Sequence, residues 1–339
     1  PYFLRAEGQA RSNEQLDLAL HSAEGPLGVS DAPDRHVLCE AFLAGAEQSG
    51  IPRNPDFNGA TQDGAGYYQI TTRQGRRSST ARAYLKPAMR RPNLRVITGA
   101  LASQLVFDGK RAVGVAFRAD SQVRVERGLE IVLCGGAINS PQLLQLSGVG
   151  PAERLRATGI EVVHDLTEVG RNLQDHLQAQ IVYRCKAPVT INDDLRSLWR
   201  KAGLLARYVR RRSGPLASAP SPVGAFVTSS ERAASADLQL FMMPLSVSRP
   251  GVLDTFSGYT FLMNPSRPES RGEISIVSSD PEAPPSIRPN YLSAAGDRAL
   301  MIEGVHALRR IAVAPAFDPW RGEEERPGED VRNDDEILD

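Results

Sequence analysis

A short apolar run that stops at two glycines and leads into a helix is the feature that most constrains the fold. Residues 129–134 are typical of a strand buried in a parallel sheet. Gly135 and Gly136 break that strand, and Ser140 with Pro141 predicts the capped start of a helix. Such a turn suits a phosphate, because glycines let the protein backbone approach the ligand closely and the helix start offers free amides. An ordinary tight strand–helix turn is the alternative.

An amphipathic helix is predicted early in the chain, with its entry at residues 31–34 and its end at Gly50. Four apolar residues recur there at helical spacing: Cys39, Phe42, Leu43 and Ala46. The following residues, 52–66, are rich in Pro, Asn, Asp and Gly. They predict a long loop, and long loops often carry function.

A hairpin is predicted in the middle of the chain. The apolar runs 101–107 and 111–117 flank Asp108-Gly109, a dipeptide that favours a tight turn. A strand is predicted before the hairpin, at residues 94–98. After the glycine turn, a helix is predicted at residues 151–158 and a strand at residues 160–164.

Short strands with few helices between them dominate after about residue 178. This pattern predicts an antiparallel sheet in a second lobe, with strands at 180–183, 225–227, 238–243, 259–263 and 273–277. A basic amphipathic helix is predicted over 195–212. A last helix over 297–313 places Met301, Val305, Leu308 and Ala312 on one face.

Composition excludes several classes of protein. The 339 residues carry 40 basic and 40 acidic side chains, so net charge does not predict nucleic-acid binding. The three cysteines lie far apart and form no C-x-x-C pair, which argues against a disulfide framework or a zinc site. No apolar run reaches the length of a transmembrane helix. The chain begins at Pro1 without Met and closes in a charged stretch, so we expect an internal piece of a longer protein.

Several segments resemble one family. Residues 135–151 are similar to the second signature of the glucose–methanol–choline (GMC) oxidoreductases, and residues 169–176 resemble that family's G-x-N-L-Q-D-H segment. Further segments match in the family's order: 56–59, 75–85, 91–94 with 96–99, 267–268 with 270–272, 280–281 and 289–292. The ordered matches run from Pro1 to about Ala316, in the choline and alcohol dehydrogenase-like branch.

The resemblance implies an α/β (α+β) fold in which a Rossmann-like FAD-binding domain is interleaved with a substrate domain built on an antiparallel sheet. We assign residues 1–177 to a partial FAD-binding domain with lid and loop segments, and residues 178–292 to the substrate domain. Residues 293–339 form a helix and linker. Two family segments have no counterpart here: the N-terminal G-x-G-x-x-G unit and the C-terminal segment with the catalytic histidine.

The resemblance also implies which residues contact the cofactor. The family's adenine-contacting position, usually Val, falls on Ala102; the contact is through the backbone, so the change is mild. Gly135, Gly136 and Ala137 are expected near the same nucleotide. Ordinary hairpin packing is the alternative for Ala102. The chain has five histidines: His21, His36, His164, His176 and His306. None of them lies in a segment that matches the family's catalytic one. We therefore assign no catalytic residue, and we assign no metal ligand.

Four more features have a functional and a structural interpretation. Asp175 and His176 could form a catalytic dyad, but a structural hydrogen-bonding role near the cofactor is favoured, because adjacent residues rarely face each other.

Cys134 is expected to be a buried small hydrophobe rather than a nucleophile. The arginines at 207 and 210–212 are favoured at a helix end by the dipole, with a membrane-surface patch as the weaker alternative. Residues 241–244 are expected in the core, with a substrate-pocket wall as the alternative.

The function that the resemblance implies is FAD-dependent oxidation of a primary alcohol such as choline, an aliphatic alcohol or polyethylene glycol. A histidine takes the hydroxyl proton, hydride moves to flavin N5, and electrons pass to a quinone-like or other acceptor. The alternatives are an oxygen-using oxidase, an FAD-containing hydroxynitrile lyase and an inactive truncated product. We expect a cytoplasmic protein, with peripheral membrane contact as a variant, and no nucleic-acid partner.

Overall fold

The computed structural model describes residues 2–10, 16, 19–229 and 233–339. Its helices are α1 (Tyr2–Ala6), α2 (Val37–Gln48), α3 (Lys86–Ala88), α4 (Gly136–Leu146), α5 (Ala152–Ala157), α6 (Ile191–Arg196), α7 (Leu198–Arg211), α8 (Ala295–Ala312) and α9 (Asp334–Leu338). A π-helical turn over Ala81–Leu85 precedes α3, and 3₁₀ turns occupy Pro215–Ala217 and Pro315–Phe317.

The strands are mostly short. They are β1 (Glu7–Gln9), β2 (Leu27–Val29), β3 (Gly64–Tyr67), β4 (Thr72–Arg73), β5 (Arg76–Arg77), β6 (Leu101–Asp108), β7 (Arg111–Ala119), β8 (Gln122–Arg127), β9 (Val149–Gly150), β10 (His164–Asp165), β11 (Arg171–Leu173), β12 (Ala179–Cys185), β13 (Val223–Val227), β14 (Leu238–Met243), β15 (Val247–Arg249), β16 (Val252–Leu253), β17 (Gly258–Pro265), β18 (Gly272–Ser275), β19 (Ser286–Arg288) and β20 (Arg321–Arg326).

The chain divides into two compact units. The first comprises the described residues of Pro1–Leu94, His176–Arg267 and Arg298–Asp339, and the second comprises Arg95–Asp175 and Pro268–Asp297. The chain therefore passes between the units more than once. The domain boundaries at 177 and 292 follow from the resemblance and stay a prediction.

A six-stranded antiparallel sheet forms the centre of the first unit, in the order β20-β12-β17-β14-β13-β3. It confirms the antiparallel lobe expected after residue 178, and it also recruits β3 and β20 from outside that range. Its buried face carries aromatic rings in contact, with Phe261 against Phe42 of α2 and Tyr259 stacked on Phe317. Helix α8 packs on the same face, where a Cβ on Gly304 would meet Met263 and Leu238. Burial of these rings and of the predicted stripe on α8 stabilises the unit.

The second unit is built from a three-stranded meander and a helix. The predicted hairpin is present as β6 and β7, and Gly109 at its turn has φ +58°. Strand β8 continues the meander. Helix α4 and the short sheet β11-β18-β19 lie beside a small apolar cluster of Leu146, Leu155 and Ile276, with Ile160 and Val162 against it. The hairpin and helix α5 lie where the sequence patterns predict them.

Two predicted strands are not formed. Residues 94–98 and 129–134 pair with no strand among the described residues, and most of their apolar side chains are exposed: Leu129 is 91% and Val132 72% exposed. Cys134, expected to be buried, is exposed for the same reason. A strand exists only through hydrogen bonds to a neighbour, so apolar composition alone does not produce one.

Three element boundaries also differ. Helix α4 begins at Gly136, so Pro141 lies inside it rather than at its first position. The basic helix predicted over 195–212 is two helices, because Ser197 is extended and its hydroxyl caps α7. The strand predicted over 160–164 is reduced to β10, which pairs with β9.

Candidate cofactor site

The glycine turn and the hairpin meet at one cavity of the second unit. The cavity holds about 300 Å³, and Ala102 of β6 and Gly135 both line it. The rest of its wall is uncharged: Leu101, Val115, Ile131, Val132, Leu133, Cys134, Asn139, Ser140, Gln142, Leu143 and Leu146. Gly136 and Ala137 form the first turn of α4, directly after Gly135. The structure thus brings Ala102 and Gly135 to one cavity, although more than thirty positions separate them in sequence, whereas Gly136 and Ala137 lie outside its lining.

The N-terminus of α4 is open at this cavity. Gly135 occupies the cap position and supplies no side-chain acceptor to the amides of the first turn. Gly136 has φ +74°, a left-handed conformation that favours glycine. Free amides and the positive end of the helix dipole attract anions. The apolar walls and the open helix end fit the nucleotide end of FAD, whereas the volume is too small for the whole dinucleotide.

The amide side chain of Gln145, in the middle of residues 135–151, bonds to a distant part of the chain. It is 1% exposed, its Nε2 donates to the carbonyl of Ile274 at 3.0 Å, and its Oε1 accepts from the Ile276 amide at 2.9 Å. The side chain therefore satisfies backbone groups of the segment that contains β18, as a neighbouring strand would. It fixes α4, and with it the glycine turn, to that segment.

Replacing Gln145 by leucine is expected to lower the free energy of unfolding by about 3 kcal/mol, because one buried N–H and one buried C=O lose their partners. Urea unfolding and hydrogen exchange at the Ile276 amide measure the loss. Gln142→Leu on the same helix is the control, since its half-buried amide donates only to Ala283 O, and we expect a cost below about 1 kcal/mol. Equal costs for the two variants would contradict this role of Gln145.

His21 lies in the first unit between two carboxylates. Its Nδ1 is 3.0 Å from both oxygens of Glu7, and its Nε2 is 2.9 Å from Asp56 Oδ2. All three side chains are buried. Burial opposes charge on the ring, but the bonds to Glu7 and Asp56 outweigh it, so the pKa of His21 is raised above 6.5. Asp56 belongs to the segment 56–59 that resembles the family, and its contacts give that segment a structural explanation.

Two further histidines have different surroundings. His36 caps α2: its Nδ1 accepts from the Leu38 amide at 3.2 Å, while Nε2 lies 3.0 Å from Val189 O. Burial lowers the pKa of His36, and the bond to Val189 only partly offsets it. His176 Nε2 lies 3.1 Å from Ser266 O, and Asp175 accepts from the Tyr291 hydroxyl. These contacts favour structural roles for Asp175 and His176.

Among the described residues, no group of three or more His, Cys, Asp or Glu side chains is arranged to hold a metal ion. No helix of that part of the chain combines the length and apolarity that crossing a bilayer requires.

Comparison with known sequences decides the family. A family model described as GMC oxidoreductase matches residues 5–178, and a second model of the same description matches residues 268–339. The chain belongs to the GMC oxidoreductase family. The family recognised from residues 135–151 and their ordered companions is confirmed.

The GMC relatives are similar along nearly all of this chain. It is 38% identical over 343 aligned residues to an oxygen-dependent choline dehydrogenase of Pseudomonas savastanoi pv. phaseolicola, covering 99% of this chain and 60% of that protein. It is 37% identical to the enzyme of that name from Staphylococcus aureus, covering 93% of this chain and 56% of the relative. The chain therefore spans about three fifths of the length of these relatives.

Solved GMC structures share the fold. A pyridoxine 4-oxidase from Mesorbium loti aligns with a TM-score of 0.83 and 27% identity, over 99% of this chain and 62% of its own. An FAD-dependent oxidoreductase from Chaetomium thermophilum aligns with a TM-score of 0.86 and 22% identity, over 100% and 67%. The α/β fold expected from the resemblance is confirmed.

Proposed function

We propose that the full-length protein is an FAD-dependent enzyme that oxidises the CH–OH group of a small primary alcohol to an aldehyde. The observation that carries the proposal is the 38% identity to choline dehydrogenases over 99% of this chain. Choline is the first substrate to test, and aliphatic alcohols and polyethylene glycol follow. FAD, when bound, supplies the hydride acceptor.

The part of this chain that holds FAD is, in our proposal, the cavity at the start of α4. Ala102 and Gly135 offer backbone next to an uncharged, mostly apolar wall, and Gly136 and Ala137 carry amides without a side-chain cap. These groups suit the adenosine and phosphate end of the cofactor. Residues 129–134 leave apolar side chains uncovered beside the cavity, and we expect a further strand of the full-length protein to cover them.

The substrate wall, in our proposal, is the second face of the six-stranded sheet. Leu240 and Met242 of β14 are fully buried on the first face, whereas Gln239 and Met243 are half-buried on the opposite one. Phe241 lies on that second face and is 9% exposed. That face mixes apolar and polar side chains, since Gln239 pairs with Asn264 and Met243 with Thr260 across β14 and β17. Small-molecule sites combine apolar walls with a few polar groups. The core interpretation of residues 241–244 therefore holds for Phe241, Met242 and Pro244, which are buried, whereas Met243 is half-buried.

The electron acceptor has two candidates. A quinone-like acceptor is our first proposal, and molecular oxygen is the alternative favoured by the name of the choline dehydrogenase relatives. Two further candidate functions are a lyase that binds FAD without redox change and an inactive product. None of the five histidines lies in a segment that matches the family's catalytic one, so we expect no turnover from the 339-residue chain alone and test the full-length protein.

Anaerobic mixing with choline and a panel of alcohols tests the reaction. The proposal requires that at least one alcohol bleaches the flavin absorbance. A quinone analogue or oxygen is then added to the reduced enzyme, and the faster reoxidation identifies the acceptor. A flavoprotein that no alcohol reduces would favour the lyase, and a protein that takes up no flavin would refute the proposal.

Ala102→Glu is expected to weaken FAD binding by at least about tenfold, because a buried carboxylate is costly in an uncharged cavity and would repel the anionic cofactor. FAD titration of the apoprotein, followed by flavin fluorescence, measures the change. Val123→Glu is the matched control, since Val123 is 72% exposed on β8 of the same meander. If both variants bind FAD like the unmodified protein, the cavity is not the nucleotide site.

A further inference from the structure

Helix α7 presents an apolar stripe to solvent. Leu198, Leu205 and Val209 follow each other at helical spacing, and Trp199 lies beside them. All four are exposed, with Leu198 at 81% and Trp199 at 89%. No residue of this helix is buried. A helix on a globular protein ordinarily turns such a stripe towards the core.

The charged side of α7 is the side that attaches it to the protein. Arg207 donates to Asp34 at 2.6 Å, and Arg200 donates to the carbonyl of Pro188 at 3.0 Å. Leu204 and Tyr208 are the half-buried residues of the helix. At 100° per residue, Arg200 and Arg207 lie on the side of the helix opposite the apolar stripe. These bonds therefore hold the stripe outward.

Basic side chains border the stripe. Residues 198–212 contain six Lys and Arg residues and no Asp or Glu. Lys201 and Arg210 lie at the two margins of the stripe on the helical wheel, whereas Arg211 lies near Arg207 on the attached side. Lys201, Arg210 and Arg211 are exposed and form no ion pair within the described part of the chain. The surface is thus apolar in its centre and positive at its edges.

We propose that α7 docks on an anionic lipid bilayer, parallel to its surface. A short helix with Trp and Leu on one side and Lys and Arg around it has the chemistry of an interfacial helix. A second copy of the chain fits less well, because a two-fold contact would set the same cations against each other. The bilayer supplies both the apolar layer for Trp199 and Leu205 and the negative charge for Lys201 and Arg210. This inference does not depend on the proposed reaction.

Sedimentation with lipid vesicles tests the proposal on the full-length, FAD-loaded protein. Two vesicle preparations are compared, phosphatidylcholine alone and phosphatidylcholine mixed with phosphatidylglycerol. One variant combines Lys201→Glu with Arg210→Glu, and another combines Trp199→Ser with Leu205→Ser. The control combines Arg249→Glu with Val252→Ser, because both residues are exposed on the β15–β16 hairpin of the same unit.

We expect binding to the anionic vesicles, weaker binding to phosphatidylcholine and weakening by salt. The charge variant should lose at least about 25-fold in affinity, since each of its two basic residues near the surface contributes roughly fivefold. The Trp199 and Leu205 variant should lose at least about tenfold, and the control should bind like the unmodified protein. Equal binding by all proteins, or none to either vesicle, would overturn the proposal. Concentration-dependent dimers that the Trp199 and Leu205 variant abolishes would also overturn it in favour of a second copy.

Discussion

Replacing His21 by glutamine is expected to lower the free energy of unfolding by about 3 kcal/mol, because two buried carboxylates lose their shared partner. Both ring nitrogens of His21 face carboxylate oxygens, and only the doubly protonated ring donates to both. Glu7 also accepts from Gln9 Nε2 at 2.9 Å and from the Ser22 amide at 3.0 Å. Urea unfolding followed by circular dichroism measures the loss.

The same change should alter how stability depends on pH. The folded-state pKa of His21 is raised above the ordinary 6.5, so its contribution is fully present below pH 6.5 and is lost as pH rises through the raised value. The difference in unfolding free energy between the unmodified protein and His21→Gln should therefore shrink in that window. A difference that stays constant between about pH 6 and 9 would show that the ring is not charged in the folded state.

His36→Gln is the matched control, because its expected slope has the opposite sign. His36 accepts an amide hydrogen bond on one nitrogen and lies against a carbonyl with the second, which suits the neutral ring. Its folded-state pKa is lowered by burial, so the folded chain resists protonation. Stability from neutral His36 is lost as pH falls from 6.5 through the lowered value. Opposite slopes for the two variants would assign each titration to its histidine.

Local patterns predicted the elements whose stability is local. The stripe of Cys39, Phe42, Leu43 and Ala46 marked α2, and all four side chains are buried. The Asp108-Gly109 turn predicted the β6–β7 hairpin, since glycine favours the positive φ of such a turn whatever surrounds it. In these cases a few neighbouring residues determine the structure.

Sequence patterns did not predict the features that depend on a partner far away in the chain. Residues 129–134 have the composition of a strand, but strand formation requires a neighbour, and none of the described segments supplies one. Glu7, His21 and Asp56 form one cluster, yet 14 and 35 residues separate the histidine from its two partners. Gln145 was recognised only as part of a motif, because its bonds to Ile274 and Ile276 span about 130 positions. No periodicity records such contacts.

The candidate cofactor site contains both a local feature that the sequence predicted and a long-range contact that it did not. Gly135, Gly136 and Ala137 are adjacent, and the glycines alone predicted a turn before a helix. The position of Ala102 beside Gly135 could come only from the family resemblance, because nothing in the hairpin sequence indicates which face meets α4.

Gly170→Ala is expected to cost more than about 3 kcal/mol of unfolding free energy. Gly170 has φ +87°, and a Cβ there would overlap the carbonyl oxygen of Ile274 and lie 2.6 Å from Gln145 Nε2. The Ile274 amide donates back to Gly170 O at 2.6 Å, so neither backbone can move away without breaking a hydrogen bond. The glycine of residues 169–176 is thus required by close approach to the segment that Gln145 also binds.

Gly159→Ala is the control that separates the backbone strain of a positive φ from the steric overlap of an added Cβ. Gly159 has φ +76°, but an added Cβ meets no heavy atom within 4 Å. Its substitution should cost only the left-handed backbone penalty, about 1–2 kcal/mol. The excess for Gly170→Ala then measures the overlap with Ile274 and Gln145. Because α4 is fixed to this segment, we also expect Gly170→Ala, and not Gly159→Ala, to weaken FAD binding. Equal unfolding costs would show that positive φ alone explains the glycine.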